Sequence, residues 1–282
     1  MERILAGVDG SPDSLHMLGW VGDLAERARA ELVVARVLEP EYADAASQDP
    51  ARHDRGLRDL DAWCGSFPFR TLRWRTMVVD GEPAHQLLAV AHDQEADLLV
   101  VGGRGRGGFP HLHLGSVAHH LTHHTTMPLA IVPPTTAPLR RIVLGVDGSP
   151  GSRHAVEFCA QLAARVGVGV SAVYSYGEVA TLQPESEPRS LRARAEAEVR
   201  SWVAPLEEAG IPVDLVLEKD LHPVAALTGA LDADPTTRPH AVVVLGARGL
   251  GGFPGLRLGR VPLQVVHNTG SAVIIVPLPP EG

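Results

Sequence analysis

Lysine is nearly missing from this chain: of its 25 basic residues, Lys219 alone is not an arginine. Against 33 acidic residues this leaves a formal charge of −8 and a pI near 5.9. Affinity for a phosphate backbone comes chiefly from an excess of basic side chains, so nucleic acid and anionic membrane are excluded as partners. The preference for arginine itself reads as the stamp of a GC-rich genome. Cysteine is as scarce, with Cys64 and Cys159 the two in the chain. They lie at unrelated places and form no CxxC spacing, which excludes a disulfide framework and a thiolate metal site. No apolar run approaches the roughly 18 residues that argue a spanning helix, and the N-terminus enters a strand-like segment with no leader pattern. These absences lead us to expect a cytoplasmic protein with no membrane partner, its two thiols reduced.

What the chain has is length and repetition. Its 282 residues suit about two domains of roughly 100–200 residues each. Residues 97–116, DLLVVGGRGRGGFPHLHLGS, return as VVVLGARGLGGFPGLRLGR at 242–260, so that Gly102, Gly105 and Gly115 recur as Gly246, Gly249 and Gly259 at one constant displacement. Residues 4–14, ILAGVDGSPDS, return as IVLGVDGSPGS at 142–152. The chain is an internal duplication. The proline-rich stretch 133–138, PPTTAP, reads as a semi-rigid linker, giving domains over 1–134 and 139–282.

Within the first copy, residues 3–8, 32–38, 72–79, 98–101 and 129–132 are apolar or alternating and read as strands. Helical spacing follows the Asp-Gly-Ser-Pro turn to about residue 30, with Ser11 or Ser14 as cap, and recurs near 57–63, 84–94 and 116–124. The acidic stretch 39–54 reads as a mobile connection. The second copy repeats the plan, with strands at 142–146, 170–174, 213–218, 241–245 and 272–276. Its helices fall at 153–166, from 190 to about 209, 223–231 and 262–267, and an acidic loop contains Glu185 and Glu187. Alternating strands and helices predict an α/β fold: two doubly wound parallel five-stranded sheets in tandem, Rossmann-like, with helices on both faces.

The glycine-rich loop leaves a buried strand and enters a helix N-terminus. Gly102, Gly105, Gly107 and Gly108 allow positive φ and close approach of a ligand to the backbone, while free N–H groups and the helix dipole favour an anion, most simply a phosphate chain. Ligands of doubly wound sheets bind at the carboxyl ends of the strands, where Asp9 and Asp147 end first strands and face the same crevices as the loops. Asp9 reads either as a contact to ribose hydroxyls or phosphate-bound metal, or as a turn former. Arg104 and Arg248, at equivalent places, read either as phosphate partners or as solubilising surface charges. No lysine follows the glycines, so this is not a Walker A loop, and no general base or water-positioning residue is evident. Binding is better supported than fast phosphoryl transfer.

The spacing Gly102, two residues, Gly105, nine residues, Gly115, then Ser116 resembles the nucleotide signature of the universal stress protein family, and Asp9 and Asp147 match the Asp that ends its first strand. The resemblance, to the tandem two-domain form, covers nearly the whole chain. It implies an adenine-nucleotide α-hydrolase-like fold and a regulatory protein of stress response that binds ATP, with Mg2+ as an optional companion. The alternatives are a slow ATPase on the same site, or a scaffold whose nucleotide sites have decayed. Carried onto this sequence, the resemblance places the ribose and first phosphate at Gly102 and the phosphates at Gly105, Gly115, Ser116 and the Val117 N–H; Val37, ending the second strand, reads as a neighbour of the adenine through backbone groups. In the second copy it points to Asp147, Gly246, Gly249 and Gly259, but Arg260 replaces the expected Ser or Thr and Pro262 follows. It also implies that the final strands of the two copies pair as an intramolecular pseudo-dimer, leaving a homodimer open. The histidine pairs His119/His123 and His120/His124 have i, i+4 spacing; with no third ligand nearby, they read as surface residues and no metal site is expected.

Overall fold

The computed structural model describes residues 1–39, 51–105, 114–177, 188–250 and 258–278. The chain divides into two compact units, Met1–Thr136 and Ala137–Gly282. Gly107, Gly108, Glu185, Glu187 and most of the acidic stretch after residue 39 lie outside the described residues.

The first unit runs β1 (Arg3–Gly7), α1 (Pro12–Ala28), β2 (Glu31–Leu38), α2 (Ala51–Gly65), β3 (Arg73–Asp80), α3 (Pro83–Asp93), β4 (Leu98–Gly102), α4 (Ser116–His124) and β5 (Leu129–Val132). Its strands pair parallel in the order β3-β2-β1-β4-β5. Ile4 lies opposite Leu32 on one side and Leu98 on the other. Ile4, Leu5, Leu98 and Leu99 are wholly buried, as expected of a parallel sheet covered on both faces, whose central strands are continuous apolar runs. The chain passes from β1 to β2 on one side and returns through β4 on the other, so strand order reverses at β1, and the crevice opens beyond the carboxyl ends of β1 and β4.

The second unit repeats the order with β6 (Arg141–Gly145), α5 (Pro150–Val166), β7 (Gly169–Tyr176), α6 (Pro188–Glu208), β8 (Val213–Lys219), α7 (Pro223–Asp232), β9 (Ala241–Gly246), α8 (Arg260–Asn268) and β10 (Ala272–Val276). Its strands are likewise parallel, in the order β8-β7-β6-β9-β10.

The repeated Asp-Gly-Ser-Pro turn explains why α1 and α5 start where they do. Ser11 and Ser149 are the N-caps, their hydroxyls accepting from Ser14 N–H at 3.2 Å and Ser152 N–H at 3.1 Å. Pro12 and Pro150 follow at the first helical position, where a missing N–H costs nothing. Gly10 and Gly148 both have positive φ, 80° and 76°, the conformation a side chain resists. α1 is also cut for close packing: a Cβ on Gly22 would lie 2.0 Å from the ring of Phe69, which stacks on Phe67 with ring centres 5.4 Å apart.

Several helices begin earlier than their periodicity suggests, α6 among them at Pro188. α2 starts at Ala51 rather than near residue 57, because its first turn is polar and carries no apolar stripe. α5 and α8 start at Pro150 and Arg260, since a proline in the first helical turn is compatible with the helix.

Candidate functional site

The carboxyl ends of β1, β2 and β4, the start of α4 and the first two turns of α2 surround one cavity of about 870 Å3. Asp9, Val37, Gly102, Arg104, Gly105, Gly115, Ser116 and Val117 all line it. Residues nearly 100 positions apart in the chain thus meet because β1 and β4 are neighbours in the sheet.

Asp9 is held at the crevice by its own turn: Oδ1 accepts from the Ser11 N–H at 2.9 Å, and the Asp9 N–H donates to Ser14 Oγ at 3.4 Å. Its other oxygen faces the loop. A Cβ on Gly105 would sit 2.7 Å from Asp9 Oδ2, whereas a Cβ on Gly102 would sit 3.4 Å from the Arg104 carbonyl oxygen. Neither glycine has positive φ, so of the two properties expected there, positive φ and room for close approach, the first is not used. At Gly105 the reason is space, and the first group that a larger residue would displace is the Asp9 carboxylate.

The loop returns on itself, with Gly115 N–H donating to the Gly103 carbonyl at 2.8 Å and Gly103 N–H to the Val132 carbonyl at 3.1 Å. Gly115 is the N-cap of α4 and, having no side chain, supplies no capping hydrogen bond. The first-turn N–H groups of a helix have no partner within it. Here Ser116, Val117 and Ala118, which carry them, line the cavity. Arg104 pairs with Asp13, Nε to Oδ2 at 3.4 Å, and stands at the rim with its side chain 42% exposed.

On the β2 side the cavity is lined by residues that sequence reasoning missed. Arg36 reaches Asp59 of α2, with 2.6 Å between Nη1 and Oδ2, and its guanidinium lies over the ring of Trp63 at 5.3 Å. Arg52 and Arg55, from the first turn of α2, face the same space. Arg36 was detectable as the charge that breaks an apolar strand just before its end, but Arg52 fell in the stretch 39–54 assigned to a connection and Arg55 between it and the helix expected near 57–63.

The second unit sets Asp147 at the end of β6, Gly246 at the end of β9 and Gly249 in the following loop, with Gly259 as N-cap and Arg260 as first residue of α8. This crevice is tighter. Asp147 Oδ1 accepts from the Ser149 N–H and Oδ2 from the Leu250 N–H, both at 3.0 Å. A Cβ on Gly249 would lie 2.2 Å from Asp147 Oδ2, and one on Gly246 would lie 2.5 Å from the Gly151 backbone. Gly151 stands where the first unit has Asp13, and its missing side chain lets the Arg248 carbonyl settle on the start of α5; a Cβ there would be 2.3 Å from that oxygen. Arg260 is exposed. Where the first unit has Arg36 over Trp63, the second has Tyr174 edge-on to Trp202, with ring centres 5.1 Å apart.

The two cysteines take no part in either crevice. Both are free and buried, and burial pushes the Cys64 thiol up to about 11, with the Asp61 charge adding to it, and raises that of Cys159 further. Thiols so protonated are poor nucleophiles and poor metal ligands.

The model of the universal stress protein family matches residues 1–133 and again 138–277. The chain belongs to that family. It is 27% identical over 323 aligned residues to the universal stress protein Rv1996 of Mycobacterium tuberculosis, an alignment covering 99% of this chain and 96% of that protein. It is 26% identical to Rv2005c of the same organism, with 96% of each covered. Among solved structures, a universal stress protein from Archaeoglobus fulgidus shares the fold over 97% of both chains, with a TM-score of 0.69 at 17% identity. The tandem α/β architecture and a role in stress response follow from this membership. Among the described residues no helix is long and apolar enough to cross a membrane.

Proposed function

We propose that the first unit binds an adenine nucleotide, with ATP the species expected, and that the protein is a nucleotide-binding regulator of stress response rather than an efficient enzyme. The observation that carries this reading is the convergence of eight candidate residues on one cavity whose floor includes the uncapped start of α4. A volume of about 870 Å3 lies within the range of roughly 300–1,000 Å3 usual for small-molecule sites. The first-turn N–H groups of α4, the Ser116 hydroxyl and Arg104 suit the phosphates. Asp9 offers a carboxylate to ribose hydroxyls, or to a Mg2+ ion carried on the phosphates, a metal commonly held by one carboxylate together with phosphate oxygens. The backbone beside Val37 is left for the base. Catalysis has less support, since among the described residues no side chain is evidently placed to orient an attacking water.

The experiment is a thermal-shift and calorimetric titration of the full chain with ATP, with and without Mg2+. A ligand bound by the native state alone stabilises it by about 2.7 kcal/mol at 100 times its Kd, and Asp9→Ala is expected to remove most of that gain. An unchanged melting temperature at millimolar ATP refutes the assignment.

A further inference from the structure

Helix α4 begins at the cavity and carries four histidines, His119, His120, His123 and His124. Nothing in the nucleotide reading uses them. His119, His120 and His124 are exposed and His123 is half-buried. Spacing of i, i+4 gives two pairs on neighbouring faces of the helix, and the two pairs differ in how their rings sit.

In the first pair, His123 Nδ1 lies 2.9 Å from the His119 carbonyl oxygen and 3.0 Å from Thr122 Oγ1, and that hydroxyl donates to the same carbonyl at 2.7 Å; His124 Nδ1 lies likewise 2.9 Å from the His120 carbonyl oxygen, so it is the ring separation that tells the pairs apart. A carbonyl oxygen accepts only, so in neutral His123 the proton is on Nδ1 and the lone pair on Nε2. This is the arrangement found behind metal-bound imidazoles, whose second nitrogen gives its proton to a carbonyl, carboxylate or water. The ring separation fits as well. An ion about 2.0–2.1 Å from each Nε2 stands about 3.2 Å from each ring centre, so two imidazoles on one ion have centres about 4.5 Å apart at a right angle and about 5.2 Å apart at the tetrahedral angle. The His119 and His123 ring centres are 4.7 Å apart with planes 38° from parallel. The His120 and His124 rings are stacked at 4.1 Å and 20°, closer than either coordination angle allows.

We infer that His119 and His123 chelate a divalent late first-row cation on the surface of α4. With one ion shared by both Nε2 atoms, the 4.7 Å ring separation corresponds to a near-right angle, which suits Cu2+, or Ni2+, both of which favour tetragonal sites and nitrogen donors. Among the described residues no cluster of three or more His, Cys, Asp or Glu is placed to hold a metal, so two imidazoles are what the described residues contribute. The site is separate from the cavity and does not depend on the nucleotide assignment.

The test is a Cu2+ titration of the untagged, full-length protein by calorimetry, with frozen-solution electron paramagnetic resonance of the one-equivalent sample. We expect the first equivalent to show coupling to two imidazole nitrogens. His119→Ala and His123→Ala should each weaken it by at least the roughly 10–100-fold that loss of even an outer-sphere partner produces. The double variant His120→Ala, His124→Ala should bind as the unaltered chain does. Alanine is the best helix former, so circular dichroism should find all variants folded. Failure to bind Cu2+, retention of affinity in both single variants, or loss in the His120→Ala, His124→Ala protein instead would each overturn the inference.

Discussion

Single residues in this protein are constrained mainly by what approaches them. Glu31 is the case with a measurable consequence for pH. It sits at the start of β2, accepting from Arg3 Nε of β1 at 2.9 Å and from Arg75 Nε of β3 at 3.0 Å, and so ties three adjacent strands. The hydrogen bond from Arg3 is the largest influence holding its carboxyl below the ordinary glutamate value; partial burial opposes it, and the Arg75 charge and hydrogen bond add to the lowering. A carboxyl whose pKa is lower in the folded than in the unfolded state stabilises the fold above its unfolded pKa, about 4.3, and the contribution is lost as pH falls through the folded pKa. Glu31→Gln should therefore lower stability at pH 7 by up to about 1 kcal/mol, and urea unfolding at pH 3 should show the two proteins closer together. An equal gap at both pH values would place the effect in packing rather than charge. At this scale the sequence was informative where a residue's reason is local: Asp9 could be placed at the end of a strand from its turn alone. It was misleading about the φ of Gly102 and Gly105, which is not positive at either, and it could not show that Asp9 fills the space beside Gly105.

At the scale of elements, the two copies amount to an experiment on one helix start. α4 opens Ser116, Val117, Ala118, and α8 opens Arg260, Val261, Pro262, both after a glycine N-cap. Proline in the first turn leaves the helix intact but removes one of the N–H groups directed beyond it. We expect Ala118→Pro to leave the melting temperature of the free protein nearly unchanged and to weaken ATP binding. One hydrogen bond to a charged group is worth roughly 1.5–3 kcal/mol, which corresponds to about tenfold or more in Kd; calorimetry reads the change directly, and unaltered affinity would mean that the Ala118 N–H is not a ligand. Strands were the elements best read from sequence, since buried parallel strands are unbroken apolar runs such as 98–101 and 272–276. Helix starts were read less well, as α2 illustrates: Arg52 and Arg55 belong to a polar first turn whose periodicity begins only further on, and two cationic residues of the cavity were lost with it.

At the scale of the whole molecule, duplication was evident from the repeated motifs, but the divergence of the two crevices was only half visible. Pro262 and Arg260 announce it; the settling of the second loop onto Gly151, with Asp147 taken up by the Leu250 N–H, needs coordinates. From that closure we expect calorimetry of the full chain to give one ATP per chain rather than two, with Asp9→Ala removing it and Asp147→Ala leaving it in place. A stoichiometry of two would show that the second loop opens. The cation–π contact of Arg36 with Trp63 has an optical consequence. The chain contains four tryptophans; the Trp63 indole touches a guanidinium that lines the cavity, while Trp202 lies against Gly148 and Tyr174 in the other unit. A ligand that draws Arg36 toward its own charge must alter the surroundings of Trp63, so occupancy should register as a change in intrinsic emission that disappears in Trp63→Phe and persists in Trp202→Phe, making the protein its own fluorescent reporter of the nucleotide level around it.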